Sequence, residues 1–85
     1  MYYFYVLQND TTKELYFGST NDLERRVQEH NEGRNKSTKR NDGIWVAVYY
    51  EAFRSEEDAK MREKRMKVHG KGKEQLMKRI EHSLF

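Results

Sequence analysis

The first twenty residues restrict the fold most, because two short apolar runs flank a turn sequence. Tyr2 to Leu7 is rich in aromatic and β-branched residues, which favour a strand. Residues 9–12 (NDTT) follow, and side chains of this kind bond to nearby backbone and favour a turn. Leu15 to Gly18 then has the composition of a return strand. The sequence therefore predicts an opening β-hairpin.

A capped helix is predicted after the hairpin. Residues 19–22 (STND) offer several N-cap side chains, and Asn21 with Glu24 has the spacing of a capping box. The helix is expected to run to about Glu32, where Gly33 would end it.

The second half predicts one strand and two helices. A third strand is expected from Ile44 to Phe53, and a helix from a cap at Ser55 to about Val68. Gly70 and Gly72 are expected to break the chain before a last helix from Lys73 to Leu84. The order β-β-α-β-α-α predicts an α+β fold, with a small three-stranded, mostly antiparallel sheet flanked by helices.

Size and composition limit how this fold can be stabilised. Eighty-five residues predict one domain spanning 1–85, with packing as its only support, because there is no cysteine for a disulfide or a thiolate zinc site. No apolar run is long enough to span a membrane, and the first residues lack the features of a secretory signal. The sequence thus predicts a cytoplasmic protein without a membrane partner.

Positive charge is concentrated in the second part of the chain. Residues 1–33 hold three basic side chains against six acidic ones, whereas residues 34–85 hold 14 against eight. The basic residues are densest between 60 and 79, and residues 34–43 form a polar, basic loop sequence. Such a surface favours a polyanion such as a phosphate backbone. A solvated helix face is the alternative.

Tyr5 and Tyr16 are predicted on the same face of the hairpin. Strand alternation places Phe4 and Val6 opposite Tyr5, and Phe17 opposite Tyr16. If the apolar pairs face the core, the two tyrosines project together from the other side. The alternative is that both are ordinary sheet aromatics.

Arg26 and His30 are neighbours on the first helix, because they are four residues apart. Leu23 and Val27 are the predicted core anchors, which places the arginine and histidine at the edge of the buried stripe. A guanidinium and an imidazole there can hold a phosphate oxygen and a proton. The alternative for His30 is a histidine at a helix C-terminus, favoured by the helix dipole.

Glu63 lies on the inward side of the second predicted helix, between Ala59 and Met66. A carboxylate at an apolar stripe needs a cation or a donor. It is interpreted either as half of an ion pair or as a ligand of one Mg²⁺ ion, since no second carboxylate is predicted beside it.

The chain resembles the GIY-YIG nucleases, in particular their small stand-alone bacterial members of the YhbQ type. Residues 4–6 (FYV) stand at the first family motif and residues 16–18 (YFG) at the second, so both tyrosines and the last glycine are kept. Arg26 and His30 follow at the family's spacing on the next helix, and Glu63 matches the family's metal-binding glutamate.

The resemblance implies hydrolysis of a phosphodiester bond with one Mg²⁺ or Mn²⁺ ion. Glu63 would hold the metal, and Tyr16 would act as general base on a water, its pKa lowered by Arg26 and the metal. Tyr5 would orient that water, Arg26 would offset charge on the phosphate, and His30 would bond to a tyrosine or to phosphate.

The resemblance also implies a nucleic-acid partner, with DNA expected, and cleavage selective for structure rather than sequence, as in repair or recombination. The predicted nucleic-acid contacts are Ser19, Lys36, Ser37, Thr38, Lys39, Lys64, Arg65 and Lys67. The alternatives are a catalytically silent nucleic-acid-binding module and a protein-interaction domain on the same scaffold. The complete set of five site residues argues against both.

Overall fold

The secondary-structure elements follow the predicted order. The computed structural model describes residues 1–33, 43–68 and 70–85. Its strands are β1 (Tyr2–Asn9), β2 (Leu15–Thr20) and β3 (Trp45–Phe53), and its helices are α1 (Leu23–Asn31), α2 (Glu56–Val68) and α3 (Gly70–Arg79), with a 3-10 turn at Glu81–Ser83. The α+β class is confirmed. No helix in these ranges has the length and apolar character needed to cross a membrane.

The hairpin strand β1 forms the centre of the sheet, whose order is β2-β1-β3 with both pairings antiparallel. Tyr5 lies opposite Gly18 of β2 and opposite Tyr50 of β3. The register with β3 shifts between Val6 and Leu7, which adds a residue to β3 at this point. Both outer strands are therefore edges, and β1 is paired along its whole length.

Helices cover both faces of the sheet, and the described residues form two hydrophobic clusters. On one face, Phe4, Val6 and Phe17 of the sheet pack against Met66 of α2, Leu76 of α3 and Ile80 directly after α3. The other carries Tyr5, Leu7 and Trp45, with Tyr16, Leu23, Val27 and Ala47 packed against them. The apolar pairs Phe4–Val6 and Leu15–Phe17 face the cluster under α2 and α3, as assumed from the sequence. The face with the tyrosines is also covered, because Leu23 and Val27 bring α1 onto it.

Local hydrogen bonds fix the hairpin turn and the start of α1. The buried Asn9 accepts the backbone N–H groups of Thr11 and Thr12 at 2.9 and 3.0 Å, as the turn sequence predicts. The N-cap of α1 is Asp22, whose carboxylate accepts the N–H of Arg25 at 3.1 Å. Asp22 is one of the four candidates that the sequence offers, whereas Asn21 is not the cap of a capping box with Glu24, because Asp22 is the residue that directly precedes the helix.

The last helix begins and ends earlier than predicted. Gly70 and Gly72 lie in the first turn of α3, where the backbone N–H groups have no intrahelical partner in any case. A Cβ on Gly72 would lie 3.3 Å from the Cε of Met66, so a small residue suits the packing of α3 on α2. Ile80 leaves the helical region at φ −109° and ψ 18°, and this ends α3 at Arg79.

Candidate active site

Tyr5 lies in the interior of the protein, with 1% of its surface exposed. Its ring lies over Gly18, the residue opposite it in the sheet. A Cβ at Gly18 would lie 2.6 Å from the Cζ of Tyr5 and closer still to its hydroxyl. The glycine of the second motif is therefore needed to make room for the tyrosine of the first.

Replacing Gly18 with alanine is expected to destabilise the protein by about 1–3 kcal/mol, the usual effect of overpacking a core. Gly70→Ala is the matched control, because nothing lies within 4 Å of its Cβ position and alanine favours a helix. Urea denaturation of both variants measures the difference. Equal midpoints for the two variants would show that Tyr5 moves aside without cost.

The Tyr5 hydroxyl lies 3.0 Å from Nε2 of His30, which is also 1% exposed. Burial, and secondarily the charge of Arg26, lowers the pKa of His30 to about 4. Burial, and secondarily the nearby Tyr16, raises the pKa of Tyr5 to about 12. Both groups are therefore neutral near pH 7, and the phenol donates its proton to Nε2. A neutral His30 does not fit the alternative of a cation stabilised by the helix dipole.

Arg26 lies at the rim of this buried pair. Its Nη1 donates to Oε1 of Glu29 at 3.1 Å, and 25% of its side chain is exposed. Burial opposes its charge, but hydrogen bonds to Glu29 and Tyr5 raise the pKa of Arg26 above its usual value. The guanidinium thus remains charged where solvent reaches it. Glu29 was missed from the sequence, although its spacing of three from Arg26 was a usable signal.

Tyr16 is the more accessible of the two tyrosines, being only partly buried. Its ring centroid lies 4.7 Å from that of His30 and 6.3 Å from that of Tyr5. The Nζ of Lys67 lies 5.7 Å from the ring centroid. Tyr16 therefore lies between the neutral Tyr5–His30 pair and an ammonium group.

Glu63 faces β2 from α2, and both of its oxygens have partners. Oε1 accepts the hydroxyl of Ser19 at 2.6 Å, and Oε2 pairs with Nζ of Lys67 at 2.6 Å. The carboxylate is thus fixed in place, with 23% of its side chain exposed. Ser19, predicted as a nucleic-acid contact, instead has its hydroxyl on Glu63.

The structure brings the five predicted site residues into one region, in two layers. Tyr5 and His30 lie beneath the surface, whereas Tyr16 and Arg26 lie at its edge. Lys67 connects this group to Glu63, because its ammonium contacts both Tyr16 and the carboxylate. Tyr5 and Tyr16 project from the same face of the sheet, as predicted, but α1 covers Tyr5, so only Tyr16 reaches the surface.

Of the other predicted nucleic-acid contacts, the structure describes Lys64 and Arg65. Lys64 and Arg65 line a hollow on the outer face of α2 together with Met61 and Val68. Successive helical residues are about 100° apart, so Arg65 lies about 160° from Lys67 around the helix, whereas Lys64 lies only about 60° from it. Lys36, Ser37, Thr38 and Lys39 lie outside the described residues.

A model of the GIY-YIG catalytic domain matches residues 1–77 of this chain. The chain therefore belongs to the GIY-YIG family, whose domain is of the nuclease type, acts on nucleic acid and generally uses a divalent metal ion.

The chain is also similar to two bacterial proteins, one in sequence and one in structure. The UPF0213 protein CPE1444 of Clostridium perfringens is 38% identical over 63 residues, which is 74% of this chain and 67% of that protein. The solution NMR structure of the UPF0213 protein BH0048 from Bacillus halodurans has a TM-score of 0.55 and 32% identity, covering 92% of this chain and 84% of that one. These matches confirm the predicted fold and the resemblance to small bacterial members.

Proposed function

We propose that this protein is an endonuclease that hydrolyses phosphodiester bonds with one divalent metal ion and selects its substrate by structure. The observation that carries the proposal is the position of Tyr16. It is the accessible tyrosine, and it lies against neutral His30 on one side and against the Lys67–Glu63 pair on the other.

The residues around Glu63 fit a single metal ion. Its carboxylate already attracts a cation, the ammonium of Lys67, and the Ser19 hydroxyl fixes the other oxygen. Within the described ranges, no cluster of three or more acidic, histidine or cysteine side chains gathers. This suits Mg²⁺ or Mn²⁺ held by one carboxylate, with waters and substrate phosphate completing its ligands. When bound, the ion would supply Lewis-acid stabilisation of a phosphate oxygen.

Tyr16 is the proposed general base. As the phenolate it would accept the proton of the attacking water and become the neutral phenol, and the positive charges of Arg26 and Lys67 near its ring would stabilise the phenolate. Arg26 also offsets charge that develops on the phosphate. Tyr5 and His30 are positioning residues. They lie buried beneath Tyr16 and Arg26, and their mutual hydrogen bond fixes the surface on which these two side chains rest.

A silent nucleic-acid-binding module is the second candidate, and one observation favours it. Glu63 is satisfied by Ser19 and Lys67 without a metal ion, so the carboxylate does not require one for stability. In that case the domain would bind phosphates but would not cut them.

Incubation with labelled flap, junction, nicked, single-stranded and linear DNAs, together with RNA, tests the proposal. We expect cleavage of branched DNA that requires Mg²⁺ or Mn²⁺ and stops with EDTA, consistent with repair or recombination in the cytoplasm. Binding without cleavage of any substrate would favour the silent module. If the protein neither binds nor cleaves any of these nucleic acids, a protein-interaction domain is the remaining alternative.

A further inference from the structure

We propose that a groove at the edge of β2 binds a nucleic-acid phosphate next to the scissile one, through Lys67 and Lys73. The inference rests on the proposed function and adds the path that the substrate strand takes. The β2-edge groove has a volume of about 300 Å³ and is lined by Leu15, Tyr16, Phe17, Met66, Lys67 and Lys73.

The two lysines are positioned by aromatic rings of adjacent β2 residues. The Nζ of Lys67 lies 5.7 Å from the ring centroid of Tyr16, and the Nζ of Lys73 lies 5.5 Å from that of Phe17. Adjacent strand residues point to opposite faces, so one ammonium is held on each side of the edge. Because β2 is an outer strand, a phosphodiester backbone can pass around it between the two charges.

Lys73 has a charge available for such a contact. Its side chain is exposed, and no acidic side chain in the described parts of the chain pairs with it. Lys67 is already close to the proposed base, so the two lysines extend the positive charge away from Tyr16. A lysine ammonium that contacts a backbone phosphate fixes the position of the strand without reading its bases.

The other cavities near the site are less suited to a phosphate. A groove of about 560 Å³ between α1 and β3 is lined by Asp22 and Glu24, and its described lining includes no basic residue. A cavity of about 240 Å³ beside Thr20 contains Glu56 and Lys60, which pair at 3.4 Å. Charge complementarity therefore directs the strand over the β2 edge toward the junction of α2 and α3, and away from the start of α1.

Binding of a fluorescent single-stranded oligodeoxynucleotide in EDTA, over a range of salt concentrations, tests the inference. We expect Lys73→Ala to weaken binding and to reduce the slope of log K against log salt by about 0.7, the value for one lost phosphate contact to a single strand. Lys78→Ala is the matched control, since it removes the same charge from an exposed position on α3. Lys73→Arg should keep the parental slope.

Neutral methylphosphonate linkages locate the phosphate that Lys73 contacts. They are introduced one at a time into a DNA that the protein is able to cleave, and binding is measured for each. We expect Lys73→Ala to cause no further loss of binding when the linkage next to the scissile one is already neutral. Equal salt slopes for Lys73→Ala and Lys78→Ala would overturn the inference but leave the proposed function standing. Absence of nucleic-acid binding by the parent at every salt concentration would overturn both.

Discussion

Replacing Glu63 with glutamine is expected to reduce metal-dependent cleavage on the order of a thousandfold, as several kcal/mol of charge stabilisation in the transition state are lost. Glutamine keeps the shape and can still accept the Ser19 hydroxyl, but it lacks the charge that holds a dication. The fold should persist, because the lost ion pair with Lys67 is partly exposed and such pairs contribute about 1 kcal/mol or less. Initial rates over a range of metal concentrations measure the effect.

Glu56→Gln provides the matched control for this substitution. Glu56 lies on the same helix, but it is exposed and pairs with Lys60 at 3.4 Å instead of with Ser19 or Lys67. Its removal should leave cleavage unchanged. If Glu63→Gln cuts at the parental rate with the same metal dependence, the one-metal mechanism is wrong and the activity belongs to a contaminant.

Replacing Tyr16 with phenylalanine is expected to slow cleavage by roughly a hundred- to ten-thousandfold, the range for loss of a general base. The ring contacts with His30 and Lys67 remain, so folding and nucleic-acid binding should be retained. Single-turnover rates, with binding measured separately in EDTA, isolate the chemical step.

Tyr5→Phe is the informative comparison, because it removes a buried hydroxyl instead of an accessible one. It leaves Nε2 of His30 without its Tyr5 partner, so we expect a loss of stability of about 1–3 kcal/mol and a smaller loss of rate. If Tyr5→Phe slows cleavage more than Tyr16→Phe does, Tyr5 is the general base and Tyr16 has the supporting role.

The element order and the location of Tyr5 and Tyr16 on one face of the sheet could be predicted because they depend on local patterns. Alternation along the two strands places both rings on one face, and the helical spacing of four brings Arg26 and His30 together. The inward direction of Glu63 followed in the same way from its position between Ala59 and Met66. Each of these predictions uses only the alternation along a strand or the spacing along a helix, which can be read from the sequence without knowing how the elements pack.

The burial of Tyr5 and His30 could not be predicted, because it depends on how α1 packs against the sheet. Nothing in the phase of the hairpin indicates that Leu23 and Val27 cover its second face. The start of α3 at Gly70 has a similar cause. Glycine disfavours helices in isolation, but its effect is small in the first turn, where backbone partners are absent anyway.

The predicted nucleic-acid contacts on α2 differ in their distance from the tyrosines. Lys64, Arg65 and Lys67 were grouped because they are close in sequence, but around the helix Lys64 lies about 60° from Lys67 and Arg65 about 160° from it. In the structure only Lys67 reaches Tyr16, while the other two lie on the outer face of α2. Charge composition indicates the class of partner, and the position of each residue around the helix is needed to say which charges contact that partner.

The burial of Tyr5 and His30 affects how active and inactive relatives can be told apart by sequence. Tyr5 belongs to the hydrophobic cluster under α1 and His30 is buried against it, in a chain with no cysteine to brace it, so both side chains contribute to stability whether or not the protein is active. Tyr16 and Glu63 are partly exposed, and their loss would cost far less stability. The presence of the first tyrosine and the histidine in a GIY-YIG homologue is therefore explained by packing alone and does not indicate activity. The residues that distinguish a nuclease are the second tyrosine and the glutamate, which are Tyr16 and Glu63 in this chain.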